Sequence, residues 1–436
     1  VGAFVVTILL VPVCLSFNTK SLLGARDVER GLDILDGVLV FCNRLSGTRR
    51  KPFGGGPSTA RETSHRLMLT LLAGAGIVIL SAYSAQFIKV KHDPLKWLNT
   101  TFEVRQGFDL MDATVGGTAQ IMLLLDPSSD KGLRDLDFIK RLEEIEKRIL
   151  AYQHPGWDEP LVTSAVSVLD IIRETNQALH GGDPATFKIP DTERGLSDVL
   201  FLFENASPDQ LRKLATTDLS KSQVTFNIHW LPATEYQPLA DEVAAHIKEL
   251  FPTPGEVRTT GVVYSMLSTI GLLVRDLARS FGLAFIVITI MMILLLRDLK
   301  LGLIAMVPNL TPILALLTIM VHTDVPLDMS TLMVFSIAIG ICVDDTIHFL
   351  HHFQLHYQVD GNTEAAITEA LKHGGRAIVI TSIVLISGLG IQMLAKVDSI
   401  AIFGALVATT IGLALLADLI LAPAVLRIFY PVKTEE

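Results

Sequence analysis

Residues 329–350 read Met-Ser-Thr-Leu-Met-Val-Phe-Ser-Ile-Ala-Ile-Gly-Ile-Cys-Val-Asp-Asp-Thr-Ile-His-Phe-Leu, an apolar stretch interrupted by two adjacent acids, Asp344 and Asp345. About 20 apolar residues are enough for a helix to cross the hydrocarbon core of a bilayer. The stretch therefore predicts a membrane-spanning helix. Acids inside such a helix are costly, so they usually face the interior of a bundle and serve function.

Other parts of the chain have the same length and apolarity. They are residues 67–87, 277–296, 301–321, 377–394 and 400–420, the last extending to about 429. The opening run, residues 1–15, is also apolar, but no basic start precedes it and no cleavage pattern follows it, so it does not indicate a signal peptide. We expect it to be the end of another spanning helix. The predicted fold is an α-helical transmembrane bundle of six full spans plus one truncated N-terminal span.

The overall composition indicates a chain that is only partly membrane-embedded. Of its 436 residues, 50% are hydrophobic and 19% are charged, which is too apolar for a soluble enzyme and too charged for a chain that lies wholly in lipid. The net charge of −9 and the lack of basic tracts argue against nucleic acid as a partner. Three widely spaced cysteines predict neither a disulfide framework nor a zinc site. No phosphate loop, Ser-His-Asp order or Cys-His pair indicates an enzyme.

A long polar segment, residues 88–276, interrupts the apolar runs and predicts an inserted α+β domain. A strand is expected at 119–125 and an amphipathic helix at 135–150. A strand, a helix and a strand are then expected at 223–231, 239–250 and 257–261. This alternation is typical of a compact α+β fold.

Basic residues in the short connections predict the orientation in the membrane. They fall in the 18–66 linker, at Arg297 and Lys300, at Lys372 and Arg376, and at Arg427 and Lys433. Counting crossings puts all four groups on one side, which is therefore predicted to be the cytoplasm. The predicted order is the end of a helix (1–17), a cytoplasmic linker (18–66), a span (67–87), the extracytoplasmic domain (88–276), a five-helix bundle (277–430) and a cytoplasmic tail (431–436).

Residues 6–12 and 416–423 are similar, because each is an apolar run that ends in proline; aligned on the prolines, Thr7 falls opposite Asp418. Two proline-terminated helices can look alike by chance. Together with the apolar start of the chain, however, the similarity favours a duplicated transporter of which this chain is the second repeat.

The acids of residues 344–345 have the chemistry of a proton site. A low dielectric favours the neutral carboxylic acid, and two neighbouring carboxylates resist double ionisation. His348 titrates near neutral pH, and at i+4 from Asp344 and i+3 from Asp345 it can share a broad helix face with them and relay a proton. Gly340, one turn earlier, is expected to let a neighbouring helix approach. The alternative is a solvated pair at the cytoplasmic end of the helix.

Residues at matching depth are candidates for supporting this site. Thr381 and Ser382 either hydrogen-bond a carboxylate or bond their own helix backbone. Asp418 either joins the relay or pairs with a polar group of a missing half. The pairs His348/His352 and His352/His356 have the spacing of metal ligands, but solvated interfacial histidines are commoner, so we predict no metal site.

Four sequence patterns resemble the resistance–nodulation–division (RND) superfamily, in the branch of hydrophobe exporters, mycobacterial-type membrane lipid exporters (MMPL) and Patched-like proteins. They are Gly340 to His348 with its Gly-x-x-x-Asp-Asp pattern, residues 307–312 (Val-Pro-Asn-Leu-Thr-Pro), residues 370–378, and residues 418–423 (Asp-Leu-Ile-Leu-Ala-Pro). The order of elements matches the second repeat of that superfamily over nearly the whole chain.

The resemblance implies that Asp344 and Asp345 are proton-relay acids and that residues 88–276 form a porter domain in the periplasm of a bacterial inner membrane. Residues 364–371 would form a short helix on the cytoplasmic surface. Proton antiport would move lipids or other hydrophobic and amphiphilic molecules, with the proton gradient in place of any cofactor. The implied partners are the lipid bilayer, the substrate, the missing N-terminal half of the same transporter and, as an open option, further copies in a homo-oligomer.

Two other functions remain open from the sequence. One is a sterol-sensing-like lipid receptor or scaffold with the same helix plan and no proton coupling. The other is a proton-driven accessory subunit of protein export. A receptor has no evident need for paired acids inside a span, so the acids favour a transporter.

Overall fold

The computed structural model describes residues 25–48, 60–91, 93–127 and 129–430. Within them, six helical stretches are long and apolar enough to cross a membrane. They are His65–Phe87, Val262–Leu296, Leu299–His322, Met329–Val359, Thr363–Leu394 and Asp398–Phe429. The six full spans predicted from the sequence are therefore confirmed. The truncated first span and the C-terminal tail fall outside the described residues.

The structure is mainly helical, with one small antiparallel sheet. The helices are α1 (Ala25–Leu45), α2 (Ala60–Ser84), α3 (Glu103–Val115), α4 (Leu136–Leu150), α5 (Val168–Leu179), α6 (Glu193–Ala206), α7 (Pro208–Leu214), α8 (Gln237–Leu250), α9 (Val262–Leu296), α10 (Leu299–His322), α11 (Met329–Asp360), α12 (Thr363–Ala370), α13 (Arg376–Gly390), α14 (Asp398–Leu416) and α15 (Ala422–Phe429). The strands are β1 (Ala119–Leu125), β2 (Val162–Val166), β3 (Ser222–Ile228) and β4 (Val257–Thr260).

Helix α11, which carries the two acids, begins and ends at well-defined caps. Asp328 accepts a hydrogen bond from the backbone N of Thr331, and the Thr331 hydroxyl oxygen accepts one from the backbone N of Asp328, which satisfies two N–H groups at the start of the helix. Gly361, with φ 60°, ends it in the left-handed conformation that glycine tolerates. The helix continues past the predicted end of the span at residue 350, so the following histidines are helical too.

The core of the bundle lies between α10, α11 and α14. Leu316, Val334 and Val407, one from each helix, are fully buried. Pro308 and Pro312 lie inside α10, yet the helix is continuous through both. Two π-helical turns, Leu371–Gly375 and Ala417–Leu421, interrupt the last two spans. Such turns are rare and often occur at functional sites.

The polar segment between α2 and α9 contains a four-stranded antiparallel sheet in the order β2-β3-β1-β4. In β3, buried side chains alternate with half-buried ones, so one face packs against α4, where Leu142 and Ile145 are fully buried. Three of the strands and two of the helices were predicted from alternation and helical periodicity. Strand β2 was not predicted.

Two features fix this α+β unit to the outer ends of the spans. Helix α9 begins directly after β4 and runs without a break for 35 residues, about 52 Å at 1.5 Å per residue, so it extends beyond the predicted span 277–296. The chain after α2 also pairs with the α10–α11 loop, since Leu327 N donates to Lys89 O at 2.8 Å and Lys91 N donates to Leu327 O at 3.3 Å.

Helix α1 lies against the opposite end of the bundle, in the part of the chain predicted as a linker. Its Leu39 and Cys42 are buried in the bundle core. Arg376 donates two hydrogen bonds to Asp36, at 2.8 and 2.6 Å. Arg427 donates to Asn43 Oδ1 at 2.7 Å. The short helix predicted at 364–371 is present as α12.

Candidate functional site

The two adjacent acids of α11 lie in different environments. Asp345 is only 7% exposed, and Ser382 Oγ, itself fully buried on α13, donates to its Oδ2 at 3.2 Å. The side chain of Asp344 is 77% exposed, and its nearest ion-pair partner is His348 Nε2 at 3.9 Å. Successive residues on a helix point about 100° apart, which is enough to bury one acid and leave the other on the surface.

His348 lies on the exposed side with Asp344, since its own side chain is 66% exposed. The face that the sequence predicted for all three residues is therefore divided. Asp344 and His348 share its outer part, and Asp345 belongs to the interface between α11 and α13.

The structure distinguishes the two hydroxyl residues of α13. Thr381 Oγ1 donates to the backbone oxygens of Ala377 and Ile378, both at 3.0 Å, and so bonds its own helix. Ser382 instead bonds the Asp345 carboxylate. Of the two predicted neighbours, only Ser382 contacts an acid of the site.

Asp418 is buried inside this bundle, 2% exposed, at the start of the second π-helical turn. Thr346 Oγ1, on the residue that follows Asp345, lies 2.6 Å from Asp418 Oδ1. The same hydroxyl lies 2.6 Å from Asn309 Oδ1 on α10. Asp418 thus has its polar partner within the described chain.

Thr346 and Asn309 were not predicted as site residues. The signal was present, because each is a polar side chain inside an apolar run, and each belongs to a stretch singled out for its pattern. The sequence does not show that Asn309, Thr346 and Asp418, carried by three different elements, meet at one point.

Gly340 lies on the exposed side of α11, one turn before Asp344. A Cβ atom added to it would meet no heavy atom within 4 Å. The helix that was expected to approach Gly340 is therefore not among the described residues. The stripe formed by Gly340, Asp344 and His348, here called the open face of α11, is not covered by this part of the chain.

Histidines continue the site toward the far end of α11. The His352 and His373 rings are stacked with their centroids 6.3 Å apart, and the centroid of the His356 ring lies 6.4 Å from that of His373, which belongs to the first π-helical turn. His373 Nε2 is 3.3 Å from a carboxylate oxygen of Glu369. Among the described residues, no group of three or more His, Cys, Asp or Glu side chains has the geometry of a metal site.

Two cavities lie near these elements. An apolar groove of about 360 Å³ between α9 and α11 is lined by Met292, Leu295, Val343 and Ile347, among others. A second cavity, of about 420 Å³, lies where the α+β unit meets the outer ends of the spans. Lys89, Lys91 and Lys96 line it together with apolar residues that include Val325, Pro326 and Ile402.

Comparison with known proteins agrees with this architecture. A membrane protein of Methanocaldococcus jannaschii is 26% identical over 376 residues, which cover 83% of this chain and 88% of that relative. The family model of the AcrB/AcrD/AcrF proteins matches residues 206–433, just over half of the chain, and includes all five spans from α9 onward. That family consists of transporters. The chain is a multi-pass membrane protein of the RND superfamily and belongs to the AcrB/AcrD/AcrF transporter family.

Proposed function

We propose that the chain is part of a proton-driven exporter of lipids or other hydrophobic and amphiphilic molecules, in which Asp344 and Asp345 bind protons and His348 relays them. The observation that carries the proposal is the division of the pair, with Asp345 enclosed beside Ser382 and Asp344 open beside His348.

An enclosed acid and an open acid on consecutive residues allow proton binding to be linked to conformation. A charged side chain at the centre of a span costs about 2.5–3.5 kcal/mol on insertion scales. Among the described residues Asp345 has one hydrogen-bond donor, Ser382, whereas two or three donors strongly favour the ionised form of a carboxylate. The enclosed environment therefore favours the neutral acid, and a change that opens the site to water favours release of the proton.

The open face of α11 supports a partner bundle. An acid that is 77% exposed on the side of a span, with Gly340 bare beside it, is unfavourable against lipid tails. A second helix bundle that covers this face would enclose Asp344. We propose that the first half of the same transporter supplies that bundle. We also propose that whole transporters assemble as a homo-oligomer.

The two cavities support a hydrophobic or amphiphilic substrate. The groove between α9 and α11 is almost entirely apolar, and Val343 in its wall immediately precedes Asp344. The second cavity combines lysines and aspartates, such as Lys89 and Asp324, with an apolar wall, which suits a molecule with a polar end and a hydrophobic body. No cofactor beyond the proton gradient is part of the proposal.

The distribution of Lys and Arg supports an orientation with the α+β unit outside the cytoplasm, which is the periplasm if the membrane is, as we propose, the inner membrane of a bacterium. The α9–α10 turn carries Arg297 and Lys300, whereas the α13–α14 connection on the other side carries only Lys396. Cytoplasmic loops carry the excess of basic residues.

Proton flux in proteoliposomes tests the proposal. A pH-sensitive dye inside the vesicles would record substrate-dependent flux for the wild type, Asp344→Asn and Asp345→Asn, with a series of lipids and amphiphiles as substrates. We expect each substitution to reduce flux at least tenfold, because an amide cannot exchange a proton at these positions.

The matched control is Asp209→Asn, which removes a carboxylate that is 91% exposed on α7. Its flux should equal that of the wild type. Retained flux in both α11 variants, with normal insertion and folding, would contradict the proposal and assign the acids a structural role. A wild type without flux for any amphiphile would favour the receptor function.

A further inference from the structure

The contacts around Asp418 cannot all be satisfied by an ionised carboxylate. Thr346 Oγ1 has three acceptor oxygens in reach: Asn309 Oδ1 at 2.6 Å, Asp418 Oδ1 at 2.6 Å and Cys342 O at 3.1 Å. A hydroxyl group has one proton and can donate it to only one of them. The two 2.6 Å contacts, to Asn309 and to Asp418, can both be hydrogen bonds only if at least one of these side chains supplies a proton of its own.

Asn309 can supply one of these protons by rotation of its side-chain amide. Its Nδ2 is buried and has no hydrogen-bond partner among the described residues. The oxygen and nitrogen of an amide are assigned from the hydrogen-bond network, so exchanging them is permitted. The exchange places an N–H donor, instead of a third acceptor, against Thr346 Oγ1.

The remaining proton can come from Thr346 or from Asp418, and we assign it to Asp418, because the hydroxyl can then also donate to Cys342 O. Thr346 then accepts from Asn309 Nδ2 and from a protonated Asp418 Oδ1, and it donates to Cys342 O. This arrangement satisfies the hydroxyl completely with its one proton and two lone pairs. An ionised Asp418 would instead leave a buried carboxylate with one donor, since its Oδ2 has no hydrogen-bond partner among the described residues.

The surroundings of Asp418 agree with a neutral acid. Asp345 and Cys342, both on α11, are the titratable groups that interact with it electrostatically, and neither supplies positive charge. The turn that carries Asp418 is π-helical, and Thr346 is the neighbour of Asp345 in sequence.

We propose that Asp418 is a second proton-binding site of the bundle: a neutral carboxylic acid that donates a hydrogen bond to Thr346 and so positions the turn of α11 that carries Asp345. The bound proton rests on the contacts and the burial of Asp418 and does not depend on the proposed function. The positioning role rests on the proposed function of Asp345.

Infrared difference spectroscopy of the full chain in lipid nanodiscs tests the bound proton without any transport. The difference spectrum of wild type minus Asp418→Asn at neutral pH should show one C=O stretching band of a protonated carboxylic acid, which the variant lacks, and that band should shift in D₂O. The control Asp109→Asn removes an acid that is half exposed on α3 and should lose only carboxylate bands. In Thr346→Val the Asp418 band should persist and move to higher frequency, because the acid has lost its acceptor.

If the Asp418→Asn spectrum instead lacks a carboxylate band, in buffer with or without sodium ions, then Asp418 is ionised in the wild type and the proposal that it holds a proton is wrong. The positioning role has a separate readout in proton flux. Asp418→Asn keeps a donor toward Thr346 and should retain flux within threefold of the wild type, whereas Asp418→Leu should lose at least tenfold. Equal flux in these two variants would overturn the positioning role while leaving the infrared result intact.

Discussion

Arg427 holds α1 against the bundle, and removing it should release that helix. Its side chain is only 5% exposed. It donates to Asn43 Oδ1 at 2.7 Å, to Ser46 Oγ at 2.7 Å and to Ser46 O at 2.8 Å. It also pairs with Glu364 Oε1 at 3.1 Å, and Glu364 is 13% exposed. These contacts connect α1, α12 and α15 at one point.

The expected magnitude follows from the burial of this pair. Removing one partner of a buried ion pair costs about 3–5 kcal/mol, because the other charge remains without compensation. With α1 docked in Arg427→Leu, Glu364 keeps the hydrogen bond from Thr48 as its one side-chain partner among the described residues, and we expect undocking of α1 to relieve the cost by returning Glu364 to water. Since about 1.4 kcal/mol corresponds to a factor of ten, the undocked population should rise roughly 150- to 5,000-fold.

Cys42 reports on this equilibrium. It is 5% exposed on the docked face of α1, and burial raises the pKa of its thiol, so the docked form reacts poorly with maleimide. When opening is fast compared with labelling, the labelling rate follows the open population. Cys342, 1% exposed in the core of the bundle, reports global unfolding in the same sample. Cys14 is replaced by serine in every variant, so that maleimide labels only Cys42 and Cys342.

The control is Arg44→Gln, which changes an exposed arginine in the last turn of α1. We expect its Cys42 labelling rate to match that of the wild type. A Cys42 rate in Arg427→Leu within threefold of the wild type, with Cys342 still protected, would refute the reasoning that this pair holds α1.

Two further predictions concern the stability of the α+β unit and of the bundle. Asp112 accepts hydrogen bonds from the backbone N of Thr118 and of Trp230, both at 2.9 Å. Burial opposes its ionisation, but these bonds and those from the Thr118 hydroxyl and His229 outweigh burial and hold the pKa of Asp112 below its usual range. Asp112→Ala should cost about 2–3 kcal/mol at neutral pH, measured as faster amide exchange in β3, with Asp109→Ala as control. Because the pKa of Asp112 is lower in the folded state, the part of the difference that comes from its ionisation should be lost as the pH falls through that pKa, and a difference that does not change with pH would contradict this account. In the bundle, a Cβ atom on Gly404 would lie 2.6 Å from Gln392 Cβ and 2.9 Å from Leu389 O, whereas one on Gly388 would meet nothing within 4 Å. Gly404→Ala should therefore lower the melting temperature by several degrees and Gly388→Ala should not, since overpacking costs about 1–3 kcal/mol. Equal melting temperatures would show that the helices move apart without cost.

The sequence was sufficient for those features that depend on local composition. A span needs only an apolar run of sufficient length, so all six complete spans were predicted. Helices α9 and α11 extend well beyond the predicted runs, and the fifth helical stretch begins at Thr363 instead of at residue 377. Strands β1, β3 and β4 and helices α4 and α8 have clear periodicity. Strand β2 is a short segment between Leu161 and Ser167 with a register shift near Val162, and its pairing with β3 is not visible in local alternation.

The arrangement of the site depends on contacts that are distant in sequence. The spacing of Asp344 and Asp345 shows that they diverge, but it does not show which of them faces α13. That choice depends on how α11 is rotated in the bundle. The meeting of Asn309, Thr346 and Asp418 depends in the same way on the packing of α10, α11 and the π-helical turn after α14, and the docking of α1 depends on Arg376 and Arg427, more than 300 residues away.

The adjacency of the two acids has a mechanical consequence. Because Asp344 and Asp345 are consecutive, any rotation of α11 that moves Asp345 away from Ser382 also moves Asp344 relative to the neighbouring helices, and it moves Thr346 relative to Asp418. Under the proposed function, a single rigid helix therefore links the three acids that bind protons. The links differ in kind, since Asp345 and Asp418 are held inside this bundle by hydrogen bonds, whereas Asp344 depends on whatever covers the open face. A partner bundle that contacts Asp344 thus gains influence over the enclosed acids without touching either of them. Under the proposed function, this is how a conformational change outside the described helices would reach the protons within them.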